Sequence, residues 1–159
     1  MSIIETAISH LSDCSCSERE LRRFLEKEFA ERPNLDSSID SAFKHLKKFH
    51  LINDARLAMN LAEHYIHKGN RFITHLLTQR GVDEEVITKV LSSLENEHSR
   101  ALDEARKKIG GHWDSSERTM TLLHRFLSGR SFSHTAIKSA IGQLDNQRKL
   151  LKNCQPSGC

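Results

Sequence analysis

The chain has 159 residues and a mass of 18.2 kDa, which admits one ordinary domain or a short array of small helical units and excludes two large domains. Aromatic residues make up only 6% and mean hydropathy is −0.54, so a core must be built from Leu, Ile, Val and Phe on narrow helical stripes. The net charge of +3 hides an asymmetry: residues 1–40 hold nine acids against five Lys and Arg, a balance of −4, while the rest carries +7 and nine of the ten His. That distribution suits a polyanionic partner for the later portion, and it equally suits a solvated mixed-charge helical surface.

Taken in chain order, the first clear element opens at Ser17-Glu18-Arg19-Glu20, a capping box followed by Leu21, Phe24 and Leu25 at helical spacing. A loop through Ala30, Pro33 and Leu35 leads to a helix whose stripe is Ile39, Ala42, Phe43 and Leu46. Residues 54–68 place Leu57, Ala58, Leu61, Ala62, Tyr65 and Ile66 on one face, with Gly69 as the stop. Residues 71–80 carry Phe72, Ile73, Leu76 and Leu77 and end at Gly81, a position suited to a left-handed cap. The next helix, 83–94, starts with the acids Asp83, Glu84 and Glu85, which favour a helix N-terminus, and presents Val86, Ile87, Val90, Leu91 and Leu94. A helix over 97–109 ends at Gly110 and Gly111, and helical stripes continue over 122–144. Both prolines fall outside these stretches, and strand-like alternation of Val, Ile and Thr is absent.

Part of the pattern occurs twice. Phe72, Ile73, Leu76, Leu77, Arg80, Val82, Ile87, Val90 and Leu91 map without a gap onto Leu122, Leu123, Phe126, Leu127, Arg130, Phe132, Ile137, Ala140 and Ile141. An ungapped match of that length is the mark of a structural repeat, and the stripes before residue 52 read as a third, more divergent copy. The expected fold is therefore all-α, with about nine helices in tandem three-helix repeats over 1–52, 53–95 and 96–147, elongated and curved, with a flexible tail from 148 to 159.

These residues resemble the RecX family, whose members are built from tandem three-helix repeats; the resemblance runs over residues 7–141. It is carried by Leu51-Ile52-Asn53-Asp54-Ala55-Arg56-Leu57-Ala58 and by Leu76-Leu77-Thr78-Gln79-Arg80-Gly81-Val82-Asp83-Glu84-Glu85-Val86-Ile87. The latter is similar to the family's Leu-x-x-x-Gly-Val-Asp-x-x-x-Ile. Arg125-Phe126-Leu127-Ser128-Gly129-Arg130-Ser131-Phe132-Ser133 looks like its Arg-Phe-Leu-x-x-Arg-Gly-Phe-Ser. Two turns depart from the pattern: Ser131 stands where Gly is expected, and Phe49-His50-Leu51 where the family shows Gly-Tyr or Gly-Leu. The resemblance implies a non-enzymatic regulator of recombination, DNA repair and the SOS response. Such a protein binds the RecA filament on DNA, contacts single- or double-stranded DNA, and interferes with filament growth, ATP hydrolysis or strand exchange. A direct nucleic-acid-binding helical protein and a generic helical adaptor are the rival readings.

No glycine-rich phosphate loop and no nucleophile turn is present, so neither catalysis nor a cofactor is expected. His64 and His67 are three apart and could share a helix face with Glu63 or Asn60, but three ligands must converge on a metal and solvent-facing His is common. Cys14 and Cys16, and Cys154 and Cys159, lack the usual knuckle spacing; no metal is expected, and the tail cysteines read as exposed thiols. The binding candidates are basic: the cluster Lys44, Lys47 and Lys48, then Arg71 and Arg80, then Arg118, Arg125 and Arg130. Arg80 and Arg130, equivalent under the repeat, either line one side of the array or cap their own helix C-termini. No run approaches a membrane span, and the acidic opening differs from a secretory signal; a cytoplasmic monomer is expected.

Overall fold

The structure is a computed structural model that describes residues 1–111 and 113–153. Among the described residues there are nine α-helices and no strand: α1 (Ile3–Asp13), α2 (Glu18–Glu28), α3 (Leu35–Lys48), α4 (Asp54–His64), α5 (Asn70–Gln79), α6 (Glu84–Ser93), α7 (Glu97–Ile109), α8 (Glu117–Gly129) and α9 (His134–Asn153). None is long and apolar enough to cross a membrane. Helix α9 runs through residues 148–153, where the periodicity had suggested the start of a tail; Cys154 and Cys159 lie outside the described residues.

The chain divides into two compact units. One comprises Met1–His64 with His75–Leu91, the other Tyr65–Thr74 with the chain from Ser92 onward. In the first, α1, α2 and α3 pack on one another around Leu21, Leu25, Ile39, Phe43 and Leu46, with Ile3 and Ala7 closing one side. Helix α1 begins with a capping box that the stripe pattern does not reveal: Ser2 Oγ accepts from the Glu5 N–H at 3.2 Å, and the Ser2 N–H donates to the Glu5 carboxylate at 2.9 Å. The box at Ser17 and Glu20 forms as expected. In the second unit, α7, α8 and α9 pack mutually. Ala101, Ala105, Ala136 and Ala140 are fully buried there, and small side chains let helices approach closely around Leu123, Leu127, Ile137 and Leu144.

Burial follows the repeat. Ile73 and Leu123, Leu77 and Leu127, Val82 and Phe132, Ile87 and Ile137, and Val90 and Ala140 are buried in both copies. Phe72 and Leu122 differ: Phe72 is half-buried, with the Tyr65 ring 5.2 Å away, whereas Leu122 is 46% exposed.

One helix-ending turn recurs at α3, α5 and α8. The N–H of Leu51, Val82 and Phe132 donates to the carbonyl of Leu46, Leu77 and Leu127, at 2.8, 3.0 and 3.2 Å, closing a Schellman turn around a left-handed residue. That residue is Gly81 at φ 78°, but His50 at 55° and Ser131 at 65°, and a Cβ in this region costs about 1–2 kcal/mol against which glycine loses about 0.5–1 in chain entropy. His50→Gly and Ser131→Gly should therefore each raise stability by about 0.5–1 kcal/mol. Urea denaturation checks this, and a lower midpoint in both variants would refute the strain.

Two expectations need correction. Helix α4 ends at His64, so Ile66, expected on a buried stripe, is 47% exposed. Gly69 consequently is not the stop of that helix. Its N–H donates to the Arg130 carbonyl at 2.8 Å, and a Cβ there would lie 2.0 Å from the Ser131 carbonyl oxygen. The position requires glycine because two backbones touch.

Candidate functional site

The basic candidates separate according to what each side chain meets. In the first unit, Arg80 is committed internally. Its Nε donates to the Glu20 carboxylate and its Nη2 to the Ser15 carbonyl, each at 2.9 Å, while Ser17 Oγ donates to the Arg80 carbonyl. Arg80 therefore ties the start of α2 to the turn after α5. Lys47 pairs with Glu18 at 3.0 Å, and the Glu18 N–H donates to Asp54 at 2.8 Å; burial outweighs that hydrogen bond and pushes the Asp54 carboxyl up. Lys44 and Lys48 are exposed, Lys48 Nζ lying 5.9 Å from the ring of Phe49, which is 62% exposed. Cys14 is exposed, and burial pushes the neighbouring Cys16 thiol up to about 11, which disfavours the thiolate that binds metal.

In the second unit, Arg130 Nη1 lies 3.8 Å from a carboxylate oxygen of Glu104, which is only 7% exposed, and its guanidinium sits 4.5 Å from the Phe126 ring centroid. Both arginines therefore meet carboxylates of their own unit, at partly exposed positions after α5 and α8; the repeat had left open whether they line one side of the array or cap their helices. Arg71 is exposed beside a cavity of about 470 Å³ that also holds His124, His134 and Glu97. Glu97 accepts the Ser133 N–H at 2.9 Å at the start of α9, so a carboxylate of the chain itself takes that helix end.

Arg118 and Arg125 do come together, and with a residue that sequence reasoning missed. They line a groove of about 810 Å³ with Lys108, Glu117, Thr121, Leu122 and Phe126. Helix α8 supplies most of it, Arg118, Leu122 and Arg125 falling at i, i+4 and i+7 on one face, a stripe about 10 Å long. Lys108, at the end of α7, places Nζ 5.2 Å from the Phe126 centroid. The stretch that leads into α8 is tied to α9: Trp113 Nε1 and Ser115 Oγ both donate to Asp145, at 2.8 and 2.5 Å, and the Ser115 bond, followed by that of Trp113, holds the carboxyl below its ordinary range. Asp114 accepts the Ser116 N–H at 2.9 Å, the main reason its own carboxyl falls to about 2. The result is an apolar strip flanked by three cations, with Glu117 the single acid in its lining.

The interior of α7 was also missed. Arg100, Glu104 and Lys108 stand four residues apart, on the side of the helix where Ala101 and Ala105 are buried. Charged residues beside buried small ones were the available signal.

Known proteins resemble the chain in sequence and in fold. A regulatory protein RecX of Clostridium botulinum (strain Eklund 17B / Type B) is 30% identical over 131 residues, 76% of this chain and 62% of that protein. A crystal structure of RecX from Lactobacillus salivarius matches with a TM-score of 0.73 at 20% identity, over 90% of this chain and 94% of the other. A second RecX crystal structure gives 0.61 at 22%, over 86% and 71%. No family model matches the chain. Fold and groove together define an all-helical repeat protein with a cationic, apolar-floored surface, and the curated relatives are named as regulatory proteins. The chain belongs to the RecX family, and it spans 62% of the length of the curated relative it matches.

Proposed function

We propose that the protein regulates homologous recombination and DNA repair by binding the filament that the RecA recombinase forms on DNA, slowing its ATP hydrolysis and strand exchange without chemistry of its own. The observation that carries this reading is family membership together with a repeat fold shared along 90% of the chain. The cationic groove supports it, because a filament of protein and nucleic acid offers acidic surface and phosphate, and such contacts weaken with salt. Among the candidates, Arg118 and Arg125 in the groove and Lys44, Lys48 and Arg71 on exposed surface are assigned to the contact. Arg80 and Arg130 are reassigned to holding the fold.

The test is DNA-dependent ATP hydrolysis by RecA as this protein is added. Hydrolysis should fall in a saturable manner, with the protein co-sedimenting with filaments at low salt and less so as salt rises. Unchanged hydrolysis without co-sedimentation would remove the recombinase from the proposal.

A further inference from the structure

We infer that the groove between the end of α7 and α8 receives an acidic amphipathic helix of a partner protein. Charge selects an acidic occupant, since Lys108, Arg118 and Arg125 face it with only Glu117 opposed. The floor selects polypeptide over nucleic acid. Single-stranded nucleic acid bound without sequence preference needs open aromatic faces on which bases stack, beside a basic groove, but Arg130 and Lys108 already lie over the Phe126 ring, at 4.5 and 5.2 Å. What remains uncovered is Leu122, an aliphatic side chain suited to an apolar anchor.

Its exposure breaks the repeat. The equivalent Phe72 is half-buried beside Tyr65, while Leu122 stands 46% exposed between two arginines. Arginine, leucine and arginine at i, i+4 and i+7 are complementary to acid, apolar residue and acid at the same spacing on a facing helix. The inference rests on reading the protein as a regulator that acts by binding; it does not require that the recombinase supply the helix.

The test uses the full chain and a fluorescent, helix-forming synthetic peptide with Glu, Leu and Glu at i, i+4 and i+7 on one face. Its Leu→Ser and Glu→Gln versions and an oligothymidylate serve as comparisons. Saturable binding is expected, at least about tenfold weaker for either altered peptide and for the protein variant Leu122→Ser, and lost in Arg118→Glu with Arg125→Glu. These positions are exposed, so circular dichroism should show unchanged helicity. Absence of saturable binding, or binding indifferent to Leu122→Ser, would overturn the proposal. Tighter binding of oligothymidylate, lost in the arginine variant and untouched by Leu122→Ser, would assign the groove to nucleic acid and overturn it too. The two readings fail separately: a protein that binds the peptide yet leaves RecA hydrolysis unchanged keeps the groove and loses the recombinase.

Discussion

Replacing Arg100 with leucine should cost about 3–5 kcal/mol of stability. Arg100 is 3% exposed, and its guanidinium donates to the carbonyls of Glu95, Ile66 and Lys68 at 2.9, 3.2 and 2.6 Å and to the Asn70 side-chain oxygen. All four bonds are partly buried, and leucine would take the donor away while leaving its apolar bulk between the acceptors and water. This fork ties the segment from Ile66 to Asn70 to the start of α7. Desolvation, the dominant influence, lowers the Arg100 pKa, with Glu97 and Glu95 opposing, yet a guanidinium stays charged at any pH where the protein folds. The loss should therefore be nearly independent of pH across the neutral range. Lysine should rescue it only in part, since an ammonium cannot reproduce the planar fork. Urea denaturation of both variants checks this; a loss for Arg100→Leu within about 1 kcal/mol, the scale of an ordinary surface change, would refute it.

Leu77→Ala and Leu127→Ala should each cost about 2–5 kcal/mol, through lost transfer energy and the cavity left behind. Both leucines are fully buried, and each carbonyl also closes the turn that ends its helix. The shared burial is what equivalence under the repeat requires. Leu122→Ala is the contrast: on the same helix as Leu127 but 46% exposed, it should change stability by less than about 1 kcal/mol. Near-zero losses at both Leu77 and Leu127 would break the repeat assignment.

Much of the fold was legible in the residues because helical amphipathicity is local. Stripes such as Ile39, Ala42, Phe43 and Leu46 repeat at the helical period, and all four are buried. The cap at Gly81 was readable from the backbone freedom of glycine. Less of the candidate site was legible. Arg118 and Arg125 were found by charge, but nothing along the chain distinguishes them from Arg130, which packs against Glu104, or from Arg80, which pairs with Glu20 sixty residues away. Sequence spacing reports which side chains share a helix face; it does not report what another helix brings to that face.

The sequence by itself determined the helical class, the repeat, its turns and the family resemblance, since period, cap chemistry and motif order are properties of neighbouring residues. The tertiary structure alone decided that Gly69 is a contact between backbones, that Arg100 is a buried fork, and that Leu122 stands uncovered while Phe72 does not. It also decided which arginines face solvent. Each depends on a partner distant in the chain, and burial and ion pairing are set by where folding brings that partner rather than by the residue's own identity.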